Sequence, residues 1–304
     1  MNIIFLGSAD FSIPSLEILF NSKHKILALV TVPDKGKGRG QKMASSPVKE
    51  FGIKNDIPLL LPEKLKDENF IRQLRDFNAD LFVIVAFRIL PKEFFTVMPK
   101  GSFNLHASLL PKYRGAAPIQ WALIKGEAET GVTTFVVEER VDTGNIYLQK
   151  KIAINDEDNF ETLHDKLKEI GAQTVLETVD LIESGNYDLK GQDNSLATPA
   201  PKIIPETGKI DWTKSADEIH NLVRGLSPNP CAYFFHDNKK IKVYKTSVVK
   251  MGNPKAGKIS QTKKNLFVEC GSNELEIIEL QLEGRKRMSA EEFLRGYKFE
   301  KSES

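Results

Sequence analysis

A chain of 304 residues, 40% hydrophobic and 28% charged, has the mix of a soluble globular protein and length enough for two cores. No apolar run approaches the roughly 18 residues of a membrane span, Cys231 and Cys270 lack the spacing of a zinc site or disulfide framework, and the apolar run ending at Gly7 is too short for a secretory leader. The cytoplasm is therefore the expected compartment; the net charge of +2 hides a basic C-terminal third, where 19 Lys and Arg face 14 Asp and Glu from Pro201 to Ser304, and that asymmetry points to a polyanionic partner.

In chain order, Asn2–Leu6 is a short apolar run stopped by Gly7, which predicts a buried strand. Ser12 is placed to cap a helix with Pro14 in its first turn. Ile26–Val32 and Leu81–Ala86 predict further strands, the latter apolar throughout and so covered on both faces. Ser102–His106 is a fourth strand, and helix-like segments lie at Pro47–Lys54, Asp67–Phe77 and Pro91–Val97. Strand and helix alternating in this way predict an α/β, Rossmann-like parallel sheet with helices on both faces. Ala116–Lys125 reads as a helix, Val132–Glu138 and Ile146–Ile154 as strands, and Asn159–Ser184 as a long helix. Residues 189–205, rich in Gly, Asn, Asp, Ser and Pro, read as a linker between a first domain, 1–188, and a second, 206–304. Beyond it, Ser215 and Glu218 have capping-box spacing at the head of one helix. Five short strand-like runs then suggest a small OB-like β-barrel, and Ser289 and Glu292 open a last helix.

The first strand–helix turn, Gly7-Ser8-Ala9-Asp10-Phe11, has one glycine, so it lacks the phosphate loop of a dinucleotide site. The chemistry must then come from other strand ends. Asn104 and His106, two apart on a strand, share a face, with Leu105 turned the other way. The amide can orient or donate and the imidazole can move a proton near neutral pH. A long proline-punctuated loop follows, Ala107 to Pro118, of a kind that carries function. Asp142, in Val141-Asp142-Thr143-Gly144, is the second candidate; on spacing alone it also suits an ordinary turn. His24, His164, His220 and His236 show no ligand spacing, so no metal is expected. Lys35, Lys37, Arg39, Lys42 and Lys49 lie in or beside a glycine-rich loop with Asp34 as its acid. Nine lysines and no acid run from Lys239 to Lys264, which is either a solvated barrel face or a surface that tracks phosphates.

Taken together, Asn104-Leu105-His106-Ala107-Ser108-Leu109-Leu110-Pro111, then Arg114-Gly115-Ala116-Ala117-Pro118-Ile119-Gln120, then Asp142-Thr143-Gly144 closely resemble the 10-formyltetrahydrofolate-dependent formyltransferases, and among them the methionyl-tRNA formyltransferase family. The resemblance runs from about Ile3 to Phe293. It implies that Asn104, His106 and Asp142 are catalytic, that Ser108, Leu109, Leu110 and Pro111 contact the folate, and that Lys37, Arg39 and Lys42 in a basic loop meet the tRNA. It further implies a monomer, without membrane association, that formylates methionyl initiator tRNA for translation initiation from 10-formyltetrahydrofolate. In mechanism, Asn104 and protonated His106 would stabilise the oxyanion and Asp142 would orient the ring. A sugar-nucleotide N-formyltransferase shares the trio and the two-domain plan, but a small substrate has no use for the basic loop; a formyltetrahydrofolate hydrolase would pass the formyl group to water and has no use for the basic C-terminal domain. A catalytically silent tRNA- or folate-binding protein would have no need of all three residues. One departure stands out: Phe87-Arg88-Ile89-Leu90-Pro91 is one residue shorter than the Tyr-Gly-x-Ile-Leu-Pro turn of many members and lacks its glycine, which leaves the part of Arg88 open.

Overall fold

The structure, a computed structural model, describes residues 1–37 and 42–299. The chain forms two compact units. One comprises Met1–Pro118, Thr130–Ile152 and His164–Ala200; the other comprises Ile119–Glu129, Ala153–Leu163 and the chain from Pro201 onward. The stretch beginning at 189 groups with the first unit as far as Ala200.

In chain order the first stretch runs β1 (Asn2–Gly7), α1 (Ile13–Phe20), β2 (Lys25–Val30), β3 (Lys35–Lys37), β4 (Lys42–Ala44), α2 (Pro47–Lys54), β5 (Leu59–Leu60), α3 (Glu68–Asp76), β6 (Leu81–Val85), β7 (Ser102–His106), β8 (Arg114–Gly115), α4 (Pro118–Ile124), β9 (Glu129–Val136), β10 (Ile146–Ala153), α5 (Phe160–Ser184) and β11 (Pro199–Ala200). Seven strands form the main sheet in the order β10-β9-β7-β6-β1-β2-β5. The pairs from β7 through β5 are parallel, and β9 joins β7 antiparallel, with Asn104 opposite Phe135 and His106 opposite Thr133. β6 is buried at all five residues, as its unbroken apolar run requires. One face of the sheet packs Ile4, Leu6, Phe82 and Ile84 against Phe70, Leu74, Phe94 and Met98. On α5, Gly171 leaves room for Leu105: a Cβ there would stand 2.8 Å from the Leu105 methyl. That contact seats the core side of β7 and turns Asn104 and His106 to the other side.

Two local expectations change. Ser12 stands at the cap position of α1 but makes no cap bond there; its buried hydroxyl donates instead to Val85 O at 2.7 Å, tying the end of β1 to the end of β6. Pro91–Val97, expected to be a helix, is a 3-10 turn over Lys92–Thr96. β3 and β4 pair antiparallel, and at their base Asp34 accepts from Lys49 Nζ at 2.5 Å and from Ser45 Oγ at 3.2 Å.

The second unit contains α6 (Ala216–Leu226), β12 (Ala232–His236), β13 (Lys239–Val249), β14 (Ile259–Gln261), β15 (Leu266–Glu269), β16 (Glu274–Leu282), β17 (Met288–Ser289) and α7 (Ala290–Leu294). Its antiparallel sheet has the order β12-β13-β16-β15-β14, with β17 on β16, and curls into a small barrel-like domain. Ile241, Val243, Leu266, Val268, Leu275, Ile277 and Leu280 fill it, covered by Ile219, Val223 and Phe293. Both capping boxes form as the spacing predicts: Ser215 with Glu218, and Ser289 with Glu292. The fold class is therefore the expected one: a Rossmann-like sheet followed by a small barrel-like domain.

Candidate active site

Period-two alternation on β7 buries Phe103 and Leu105 and sets Asn104 and His106 together on the opposite side. Asn104 is half-buried, and its carboxamide makes no hydrogen bond to protein among the described residues. His106 is 6% exposed. Its Nε2 lies 2.8 Å from Tyr113 O. A carbonyl only accepts, so Nε2 carries a proton and Nδ1 faces the Asp142 carboxylate, 3.7 Å away. Asp142, 9% exposed and held at a φ of 57°, sits in the turn between β9 and β10. Its Oδ2 accepts the Gly115 N–H at 2.8 Å. The three residues singled out from the sequence are thus brought to one place. The imidazole is held by its own donation to Tyr113 O, and the carboxylate lies just beyond hydrogen-bond reach of the ring.

The loop after β7 is stitched from below. Thr133 Oγ1, fully buried, donates to Ser108 O at 2.7 Å and accepts from Leu110 N–H at 3.2 Å. Gln149 Nε2 donates to Leu110 O at 2.8 Å and to Thr133 Oγ1 at 2.9 Å, and Ser108 Oγ donates to Lys112 O at 2.6 Å. Ser108, Leu110 and Pro111 are therefore fixed through their backbone groups.

A second support comes from residues 190–200. Lys190 and Ile146 exchange both backbone bonds, at 2.8 and 3.0 Å. β11 pairs with β8 in parallel, Pro199 beside Arg114 and Ala200 beside Gly115. Gly115, at a φ of 123°, has room for no Cβ, since one would lie 2.7 Å from Ala200 O. Thr198 Oγ1 accepts the Tyr113 N–H at 2.9 Å. Gln192 Nε2 donates to Asp142 O at 3.0 Å and to Gly144 O at 2.8 Å. Thr133, Gln149, Gln192 and Thr198 are the residues that sequence reasoning missed. The polar run Lys190-Gly191-Gln192-Asp193-Asn194-Ser195 reads from the sequence as linker, and nothing in it marks Gln192 as a brace.

Arg88 has a structural seat. Its guanidinium donates to Pro62 O at 2.9 Å and Glu63 O at 3.4 Å and lies 5.3 Å from the Phe87 ring centre. Of the basic loop, Lys37 and Lys42 pair through their backbones in the β3–β4 ribbon, and Arg39 lies outside the described residues. The one described His/Asp/Glu cluster with metal-like spacing, His24 with Asp180 and Glu183, has its carboxylates taken by Lys23 Nζ at 2.9 and 2.8 Å. Burial and the nearby Met1 ammonium hold the His24 ring below its ordinary pKa.

Comparison with known proteins fits this geometry. Residues 1–179 match the formyl transferase family and residues 202–298 match the formyl transferase C-terminal domain. A methionyl-tRNA formyltransferase of Thermodesulfovibrio yellowstonii is 48% identical over 97% of this chain and 96% of its own length. One from Caldanaerobacter subterraneus subsp. tengcongensis is 44% identical over 98% and 97%. Among solved structures, WlaRD, a sugar 3N-formyl transferase crystallised in the presence of dTDP and 5-N-formyl-THF, superposes with a TM-score of 0.70. It is 22% identical and covers 94% of this chain and 99% of that one, which shows a shared fold. With both family models matched in order and relatives this similar along nearly the whole chain, the protein belongs to the methionyl-tRNA formyltransferase family of formyl transferases.

Proposed function

We propose that this protein transfers a formyl group from 10-formyltetrahydrofolate to the α-amino group of methionyl initiator tRNA, acting as a cytoplasmic monomer. The observation that carries the reading is the uncommitted Asn104 carboxamide beside His106 on one strand face, with the Asp142 carboxylate 3.7 Å from the ring. The methionine nitrogen attacks the formyl carbon. As that C–N bond forms, the carbonyl oxygen takes up negative charge, and Asn104 Nδ2 and the imidazolium of His106 are the donors that meet it. Collapse breaks the bond from carbon to folate N10, which receives a proton. The proton lost by the attacking amine passes to Asp142, directly or through water, and returns from there to supply the one that N10 takes up. The step is polar acyl transfer and needs no metal in its balance. Ser108, Leu109, Leu110 and Pro111 form the folate wall. Lys37, Arg39 and Lys42 hold the acceptor stem, and the basic unit after Pro201 holds more of the tRNA by charge.

The sugar formyl transferases share the fold at low identity. The proteins similar along nearly the whole length carry the tRNA name. The test is formyl transfer with purified protein, 10-formyltetrahydrofolate and methionine-charged initiator tRNA, beside His106→Ala and Asp142→Ala. Fast formylation by the wild type, with each variant slowed about 10²–10³-fold or more, is expected. Deformylation of the folate with no formyl reaching tRNA would assign the hydrolase reaction instead.

A further inference from the structure

Arg114 stands between the two peptide groups that secure the catalytic pair. The carbonyl before it, on Tyr113, takes the His106 Nε2 proton at 2.8 Å, and the N–H after it, on Gly115, reaches Asp142 Oδ2 at 2.8 Å. Its side chain is held as firmly as its backbone. Nε and Nη2 donate to Gln192 Oε1 at 3.1 and 2.6 Å, and Nη2 also donates to Asn194 Oδ1 at 2.9 Å. Both acceptors are neutral amides, and among the described residues no carboxylate lies within ion-pair reach of this guanidinium.

The Gln192 amide cannot be turned round. Its oxygen takes the Arg114 donors and its nitrogen serves the Asp142 and Gly144 carbonyls, so a flip would set donor against donor and acceptor against acceptor. An oriented guanidinium is a costly arrangement when its charge is left uncompensated at a half-buried position. With Nε and Nη2 spent on neutral amides, Nη1 is the end of the guanidinium left to meet an anionic ligand, and a phosphate oxygen is the acceptor that suits it.

We infer that Arg114 is a binding residue for a phosphodiester next to the aminoacylated 3′ end of the tRNA, and that Gln192 is the positioning residue that couples this anchor to the Asp142 turn. The inference rests on the functional reading above. Seating the phosphate on Arg114 places the amine of the esterified methionine against β7. The same residue's flanking peptide groups hold His106 and Asp142, so substrate anchor and catalytic pair share one rigid piece of backbone.

The test compares two acceptors with the full-length protein at saturating 10-formyltetrahydrofolate: methionyl-tRNA, and methionyl-adenosine, which has the same ester and amine but no phosphate. Arg114→Ala is expected to lower kcat/KM for methionyl-tRNA relative to methionyl-adenosine by about 10–100-fold, mainly through KM, and to reduce the salt slope of that KM by about one. Arg114→Lys recovers part of the ratio, since it keeps the charge and loses the fork. Gln192→Glu loses both donors to the turn and sets a carboxylate against Arg114, so it lowers kcat on both acceptors and, by satisfying the guanidinium, also lowers the methionyl-tRNA to methionyl-adenosine ratio. Equal loss on both acceptors in Arg114→Ala and no recovery in Arg114→Lys would make Arg114 a structural residue and overturn the proposal. A rise confined to the KM for the folate would move the anchor to the folate's carboxylates and overturn it equally. A wild type inert toward methionyl-tRNA but active as a hydrolase would remove the functional reading first, and this inference with it.

Discussion

Between Ser102 and Asp142 the first unit buries seven polar side chains: Ser102, His106, Ser108, Thr130, Thr133, Thr134 and Asp142. From Pro201 onward only Ser227, Thr246 and Glu269 are buried among the described residues. Most of the first group are spent on backbone groups of the loop after β7 or of the turn at Asp142. In the barrel-like unit the inner face is apolar, Glu269 is buried against Lys258 Nζ at 2.8 Å, and cations lie over surface rings, with Lys240 Nζ 3.6 Å over the Tyr233 ring and Arg287 4.4 Å over Tyr244. The contrast separates two ways of recognising a substrate. Buried hydrogen bonds fix geometry to a fraction of an ångström and lose much when one partner goes. Surface charge adds affinity in small, salt-screened increments.

Perturbing each region should expose that difference. The largest effect is expected from Asn104→Ala, which removes a donor with no structural duty: kcat falls about 10²–10³-fold, while the thermal midpoint moves little. A midpoint that collapses alongside kcat would show that Asn104 is needed for the fold. Next is Thr133→Val, which keeps the shape and strands Leu110 N–H, Ser108 O and one bond of Gln149. The expected cost is about 1–3 kcal/mol, read as a drop of several degrees in the thermal midpoint, together with a higher KM for the folate. An unchanged KM would show that the loop keeps its shape without this support.

A smaller effect is expected from Lys263→Ala with Lys264→Ala on the exposed barrel surface. KM for methionyl-tRNA rises about threefold per residue at low salt and converges on the wild type at high salt, with kcat unchanged. A salt-independent change would exclude a phosphate contact.

The smallest is a pH effect at His220, which lies against β13 with Nδ1 2.9 Å from Thr246 Oγ1. Burial first, then Arg224, holds its pKa below the ordinary value, and Asp217, Glu157 and Asp156 oppose that shift only in part. The folded state therefore favours the neutral ring. Its contribution is fully present above the unfolded pKa near 6.5, and is lost as pH falls through the lower folded value. Between pH 7 and 5 the wild type should lose more thermal stability than His220→Gln; equal losses would place the titration elsewhere.

The same division explains what could be read from the sequence. Asn104 and His106 could be set on one face because strand alternation is local, whereas Asp142 was singled out only through the family resemblance, since its Val-Asp-Thr-Gly run alone reads as an ordinary turn. The β-strands and both capping boxes of the second unit were legible for similar reasons, being set within a few residues. Thr133, Gln149, Gln192 and Thr198 were not. A threonine or glutamine on a strand or in a polar stretch has no local signature, and these residues act on groups 16 to 85 positions away. Ser12 shows the opposite error: its sequence context is that of a cap, but a carbonyl 73 positions on takes its proton.

The docking of residues 190–200 also bears on how genes of this kind can be recombined. The two family matches end at 179 and resume at 202, so a junction drawn between them would fall in a stretch that neither match covers. Gln192, Asn194 and Thr198 lie in that stretch and hydrogen-bond to Asp142, Arg114 and Tyr113 of the first unit. A chimera that takes its C-terminal half from a relative should therefore be spliced after Ala200. A crossover at 180 would import a foreign brace for Asp142 and Arg114, and a hybrid with two well-formed halves would still transfer formyl groups poorly.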